Sequence, residues 1–109
     1  MAETTAFRVM LRMQIFPGKE KEFEKVWYAG SDVIGRQAGN LGQWLMRGED
    51  EEEGVYYIMS DWVDETAFRA FEGTDEHIEH RTQLHPYRSK GSMATMNIVY
   101  ALGGPATTS

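Results

Sequence analysis

The strongest constraint on the fold is an alternation of apolar and polar residues near the start of the chain. From Phe7 to Ile15 every second side chain is apolar, and the positions between them are mostly charged or polar. Because successive side chains of a β-strand point to opposite faces, this pattern predicts a half-buried strand. The fold must therefore contain a sheet with one covered face.

A helical pattern and two further strand patterns follow. An apolar stripe predicts a helix from Lys19 to Gln37, and the Ala29-Gly30-Ser31 stretch predicts a kink or a break in its middle. Alternating, β-branched and aromatic residues predict strands from Leu41 to Arg47 and from Val55 to Trp62. The acidic run from Glu49 to Glu53 between them is predicted to be a solvated hairpin tip rather than a metal site.

The second half of the chain is predicted to add two helical stretches and a strand. Asp64 is expected to cap the first stretch, Gly73-Thr74 to interrupt it, and a further helix to run from Asp75 to Leu84. A final strand is predicted from Met93 to Leu102, followed by a loosely ordered tail from residue 103 to residue 109. The resulting β-α-β-β-α-β order is that of a ferredoxin-like α+β fold, with an antiparallel sheet and helices on one face.

The predicted sheet has a second face that no helix covers. Bulky side chains from the first, third and fourth strands would form an apolar patch there, too large for a monomer to leave in water. Two such sheets can pack against each other through a two-fold contact. We therefore expect a homodimer in the form of a dimeric α+β barrel.

Size, charge and composition limit the class of protein. A chain of 109 residues is expected to form a single domain over residues 1–109, with an ordered core of about residues 7–102. The net charge of -6, without a Lys/Arg cluster, argues against binding nucleic acid. The absence of cysteine excludes thiolate catalysis, iron–sulfur clusters and thiolate zinc sites. No apolar stretch predicts a membrane span or an export leader, so a cytoplasmic protein is expected.

The most distinctive chemical groups lie on the last predicted helix. His77, His80, Arg81 and Leu84 are spaced so that they share one helical face. A histidine is the natural proton acceptor near neutral pH, and an arginine one turn away can hold an oxyanion. Alternatively, the two histidines lie on the solvent side and pair with neighbouring glutamates. A metal site is not expected, because two histidines without a third ligand are too few.

Several short motifs occur in the order and spacing of one enzyme family. They are Pro17-Gly18-Lys19 with Phe23, Gly39-Asn40-Leu41, the segment from Ser60 to Phe71, Thr74 to His77, and Ala94 to Tyr100. On these motifs the chain resembles the antibiotic biosynthesis monooxygenase family over about residues 7–102. The resemblance implies a dimeric α+β barrel with a ligand pocket in each subunit, between the sheet and its helices.

The resemblance also distinguishes two branches of that family. Similar haem-degrading members carry an Asn in the first strand, a Trp on the second helix and an axial His. This chain lacks the Asn and has Phe71 and Arg81 at the other two places. In the cofactor-free members that form quinones, Trp62 resembles a Trp that ends the third strand, and Phe68 replaces an aromatic phenol. Arg81 lies within one residue of an Arg near their substrate, so the cofactor-free branch is favoured.

The leading hypothesis is a cofactor-independent monooxygenase that oxidises an aromatic polyketide phenol or anthrone to a quinone, in antibiotic or pigment biosynthesis. Molecular oxygen would be the co-substrate, and neither a metal nor an organic cofactor is expected. The expected catalytic residues are His77 or His80 as the base, Arg81 as the charge stabiliser, and Trp62. The expected substrate-binding residues are Tyr56, Ile58, Phe68, Phe71 and Leu84. Two alternatives stay open: an aromatic polyketide cyclase or aromatase on the same scaffold, and a non-catalytic accessory dimer that binds a small molecule.

Overall fold

The structure is a computed structural model that describes residues 2–3, 6–49 and 53–102. The middle of the predicted acidic hairpin tip and the tail from residue 103 onwards lie outside the described residues. The helices and strands are, in chain order, β1 (Ala2–Glu3), β2 (Phe7–Ile15), α1 (Glu20–Gly35), β3 (Asn40–Arg47), β4 (Val55–Trp62), α2 (Glu65–Glu72), α3 (Asp75–Leu84), a 3₁₀ turn (His85–Tyr87), β5 (Arg88–Asn97) and β6 (Tyr100–Ala101).

The main sheet has four antiparallel strands in the order β3-β4-β2-β5. Helix α1 connects β2 to β3, and the pair α2 and α3 connects β4 to β5. This is the ferredoxin-like α+β arrangement that the sequence predicts. Strands β1 and β6 form a separate antiparallel pair beside it.

The alternation in β2 decides which face of the sheet is buried. Every second residue from Phe7 to Ile15 faces the helices, and four of these five side chains are buried. Phe7 lies opposite Trp62 of β4, and Leu11 lies opposite Ile58. Because paired residues share a face, β4 extends the same apolar surface.

The core between sheet and helices divides into two apolar clusters. One consists of Met13, Ile15, Phe23, Trp27, Tyr56, Ile58 and Leu84. The other consists of Phe7, Val9, Ile34, Trp62, Phe68 and Phe71. The division leaves space between the clusters, and that space becomes the candidate site.

The helix boundaries follow from their caps. Asp64 Oδ1 accepts a hydrogen bond of 2.8 Å from the backbone N–H of Ala67, which confirms the predicted cap of α2. Thr74 caps α3 by accepting from the backbone N–H of His77 at 3.2 Å. Among the described residues, no helix is long and apolar enough to span a membrane. Of the predicted kink or break in α1, the break is wrong, because the helix is continuous from Glu20 to Gly35, and the kink stays a prediction.

The predicted start of the last strand is also wrong. Strand β5 begins at Arg88, five residues before the predicted Met93, and ends at Asn97 rather than at Leu102. It is an edge strand that pairs only with β2 among the described strands, so its side chains are mostly exposed. Its first half therefore needs no apolar alternation, and the sequence signal for a strand is missing there.

The sheet face opposite the helices carries both an ion pair and apolar side chains. Arg8 donates to both carboxylate oxygens of Asp61, at 2.8 and 2.9 Å, and Asp61 is fully buried. Met10, Trp44 and Met59 are half-buried on the same face. A second copy of the chain packed on this face stays a prediction.

Candidate active site

A cavity of about 260 Å³ lies between the sheet and the three helices, where the two core clusters separate. Among the nine residues that the sequence proposes for the site, the structure brings seven to the lining of this cavity. They are Ile58, Phe68, Phe71, His77, His80, Arg81 and Leu84. Trp62 and Tyr56 are not among the lining residues.

Trp62 lies behind the cavity wall instead of in it. Its indole is fully buried and stacks on Phe71, with ring centroids 5.1 Å apart, and contacts Phe68 at 5.7 Å. Its Nε1 donates a hydrogen bond of 3.0 Å to the hydroxyl of Ser60. The structure therefore corrects the placement of Trp62: it supports the two phenylalanines that line the cavity, and its own ring is covered by them.

Tyr56 also lies elsewhere, in the other core cluster. Its ring packs against Phe23 with centroids 5.1 Å apart, and its hydroxyl donates a short hydrogen bond to the carboxylate of Glu24. Arg47 pairs with the same carboxylate at 3.2 Å. Burial raises the pKa of Tyr56, and the hydrogen bond from Tyr56 lowers the pKa of Glu24. Tyr56 thus tethers α1 to the sheet away from the cavity.

His80 is the polar group that lies deepest in the cavity wall. Its side chain is 7% exposed, and neither ring nitrogen has a hydrogen-bond partner among the described residues. Burial lowers the pKa of His80 below its ordinary value, and the nearby His77 lowers it further. The imidazole is therefore neutral near pH 7, and its ring nitrogens are shielded from solvent and without a partner among the described residues.

A glycine in α1 makes room for this imidazole. The His80 ring lies against Gly30, and a Cβ atom at that position would overlap Nδ1 and lie 2.6 Å from Cε1. No real Cβ contact is that close, so a side chain at Gly30 would have to displace the ring. The glycine that predicts a break in the helix is instead the place where α3 packs its histidine against α1.

His77 is held differently from His80. Its Nδ1 lies 3.2 Å from the backbone oxygen of Glu72, to which it can only donate. Its ring packs edge-on against Phe71, with centroids 4.8 Å apart. Neither His77 nor His80 forms an ion pair with a glutamate within the described ranges, so the solvent-side alternative is not what the structure has.

Sequence reasoning missed the polar groups on the cavity floor. Gln43 and Ser60 face each other across β3 and β4 and both line the cavity. The Nε2 of Gln43 donates to the backbone oxygen of Ser31 at 2.5 Å, and its Oε1 has no partner within the described segments. Two polar residues on the helix-facing side of adjacent strands are the signal that could have identified them.

The structure offers no evident metal site. Within residues 2–3, 6–49 and 53–102, no group of three or more His, Asp or Glu side chains is placed to hold a metal ion. The polar groups that line the cavity include the imidazoles of His77 and His80, the hydroxyl of Ser60, the amide of Gln43 and the guanidinium group of Arg81.

Lowering the pH is expected to destabilise the protein through His80. Below an unfolded pKa of about 6.5, the unfolded chain binds a proton that the buried imidazole does not bind. Stability should therefore fall as the pH drops through that value and level off below the lowered pKa of the folded protein. Urea unfolding from about pH 7.5 to about pH 5 measures this loss.

His80→Gln is the control for this measurement, because glutamine does not titrate while His77, Glu72 and Arg81 around the cavity stay the same. Subtracting its pH dependence from that of the wild type isolates the contribution of His80. Identical pH dependence in the two proteins would contradict burial of a neutral imidazole.

Comparison with known proteins adds a family match. Residues 6–83 match the model of a family described as antibiotic biosynthesis monooxygenase. No curated protein matches the chain.

Solved structures with the same architecture come from several bacteria. SnoaB from Streptomyces nogalater, described as a cofactor-independent oxygenase, has a TM-score of 0.78 and 22% identity over 94% of this chain and 100% of its own. A putative antibiotic biosynthesis monooxygenase from Caulobacter crescentus has a TM-score of 0.79 and 24% identity, covering 89% and 92% of the two chains. One from Nitrosomonas europaea has a TM-score of 0.81 and 10% identity, covering 94% and 99%. At these identities the similarities show the fold.

Proposed function

Because the chain belongs to the antibiotic biosynthesis monooxygenase family, we propose that it is a cofactor-independent monooxygenase that oxidises an aromatic polyketide phenol or anthrone to a quinone. The observation that carries the proposal is the buried imidazole of His80, which is neutral and has no hydrogen-bond partner in the described part of the chain, in the wall of an apolar cavity. SnoaB, whose structure is similar, is described as a cofactor-independent oxygenase.

The cavity suits a flat apolar ring system. Phe68 and Phe71 form one wall and Ile58 and Leu84 contribute to others, so most of the lining is apolar. Its volume of about 260 Å³ is just below the roughly 300–1,000 Å³ that ligand pockets usually have. We therefore propose a substrate of two or three fused rings rather than a larger polycycle.

The proposed reaction begins with proton removal by His80. The imidazole takes a proton from the phenol hydroxyl or from the acidic carbon of the anthrone, and the resulting anion is rich enough in electrons to reduce molecular oxygen. A new C–O bond forms as a peroxide, which then loses water to leave a carbonyl. For an anthrone, one CH₂ group and one O₂ give one C=O group and one H₂O, so no external reductant is needed. The imidazolium returns its proton to the departing hydroxide.

The apolar wall and the polar floor have separate parts in this scheme. A site poor in water strengthens hydrogen bonds to the substrate anion, because water no longer competes for its charge. The hydroxyl of Ser60 lies on the floor, where it can donate to an oxygen of the substrate, whereas the Oε1 of Gln43 can only accept, for example from a substrate hydroxyl. Trp62 keeps Phe68 and Phe71 in place behind this surface.

Oxygen consumption tests the proposal directly. Metal-stripped, flavin-free protein is given an anthrone or a naphthol, and dissolved oxygen and product mass are recorded together. We expect oxygen uptake with a product that has gained one oxygen atom and lost two hydrogens. Loss of water without uptake would indicate a cyclase, and no change in substrate would indicate an accessory binding role.

A further inference from the structure

Two arginines lie at the opening of the cavity to solvent. Arg81 of α3 and Arg88 at the start of β5 line the cavity, and both also line a shallow depression outside it with Thr82 and Pro86. Arg81 is exposed and Arg88 is half-buried. The two residues therefore lie at the boundary between the cavity and the outer depression.

These two arginines differ from four other arginines of the chain in their ion pairing. Arg8, Arg36, Arg47 and Arg69 each form an ion pair with an aspartate or a glutamate. Within the described part of the chain, Arg81 and Arg88 have neither an ion pair nor a side-chain hydrogen bond. The carboxylate of Glu72 also lines the cavity, but it pairs with Arg69 at 2.9 Å, so the positive charges of Arg81 and Arg88 are not neutralised by it.

We infer that Arg81 and Arg88 form a subsite for an anionic arm of the substrate, a carboxylate or a phosphate that projects from the fused rings. The rings occupy the apolar cavity and the arm ends at the opening. Guanidinium groups suit this task because each presents two parallel N–H donors to a planar carboxylate or to a phosphate. The inference rests on the proposed function only in taking the cavity as the substrate site.

At the cavity opening, Arg81 positions the substrate and does not act on its reacting atoms. The sequence proposes it as a charge stabiliser for the reaction, whereas its exposure at the opening suits an anchor for a group that does not react. An anchor at the opening fixes which end of the ring system enters first and so which carbon lies near His80. The substrate class is accordingly a small fused-ring phenol or anthrone with an acidic side chain.

Binding of three naphthalene probes tests the subsite without any turnover. The probes are 1-naphthol, 1-naphthylacetate and 1-naphthyl phosphate, and binding is followed by calorimetry at low ionic strength. We expect at least one anionic probe to bind about tenfold more tightly than naphthol, with the advantage decreasing as salt is added. The tighter of the two anionic probes identifies the arm as a carboxylate or a phosphate.

Single arginine variants assign this advantage to the proposed residues. Arg81→Gln and Arg88→Gln should each weaken binding of the anionic probe about five- to tenfold and change naphthol binding less than about twofold. Lys25→Gln removes the same charge from an exposed site in α1 outside the cavity lining and should leave all three affinities unchanged. Equal losses for charged and neutral probes, or no advantage of either anion over naphthol, would overturn the subsite. A protein that shows this binding pattern but no oxygen uptake would contradict the oxygenase proposal alone.

Discussion

Replacing His80 by glutamine is expected to lower the turnover number about 10²- to 10⁴-fold, the usual range for loss of a general base. Glutamine keeps polar atoms in the cavity wall but cannot take a proton. Since the imidazole has no hydrogen-bond partner among the described residues, the substitution breaks no such bond there. The fold should therefore persist, and a melting temperature close to that of the wild type checks this.

The pH dependence of kcat identifies the base more specifically than the size of the decrease in turnover number does. A base is active when it is deprotonated, so wild-type kcat should rise with pH through the lowered pKa of His80 and level off above it. The residual activity of His80→Gln should lack this rise. His77→Gln serves as the comparison, because His77 already donates to a backbone oxygen. If His77→Gln rather than His80→Gln removes the rise, His77 is the base.

The sequence predicts the architecture well because the alternation of apolar residues within a strand identifies both the strand and its buried face. The alternation from Phe7 to Ile15 indicates the buried face, and the register of β2 and β4 then follows from pairing equivalent faces. β5 lacks this signal in its first half, since an edge strand with exposed side chains needs no apolar alternation. Prediction is therefore accurate where burial imposes a pattern and poor where only backbone pairing defines the strand.

The sequence predicts which face of the sheet a site residue lies on. It does not predict whether the side chain lines the cavity or lies behind the lining. Trp62 and Ile58 both point toward the helices, yet Ile58 lines the cavity and Trp62 lies behind Phe68 and Phe71. Periodicity cannot distinguish these positions, because the difference depends on how α2 packs over the sheet. Tyr56 shows the same limit, since its partner Glu24 is on a helix distant in sequence.

Gly30 shows how a local rule can give the wrong result when a tertiary contact overrides it. Glycine weakens a helix by about 1 kcal/mol relative to alanine, so the sequence predicts an interruption. In the structure the helix is continuous, and the missing side chain allows the His80 ring to pack against the backbone of α1. No single-sequence pattern connects a glycine with a histidine fifty residues later, so only the packing of α3 on α1 reveals the contact.

Gly30→Ala is accordingly expected to lower kcat about 10²-fold, because a displacement of roughly 1 Å at a catalytic group has effects of this size. The added methyl group would occupy the position of His80 Nδ1, so the ring must move toward the cavity. A ring that moves out of its packed position is better solvated, and its pKa should rise toward the ordinary value for histidine. The rise of kcat with pH should shift to higher pH accordingly, an effect that a change in helix stability alone would not produce.

Gly35→Ala is the matched control, since a Cβ there would lie 3.5 Å from Nε2 of Gln43, an ordinary contact distance. Both substitutions add one methyl group to the same helix, but only Gly30→Ala overlaps the His80 ring. The double variant provides a second control: once His80 is glutamine, Gly30→Ala should cost much less activity, because the group that it displaces no longer acts as a base. Wild-type kcat and pH dependence in Gly30→Ala, or full additivity in the double variant, would mean that the position of the His80 ring does not control the reaction.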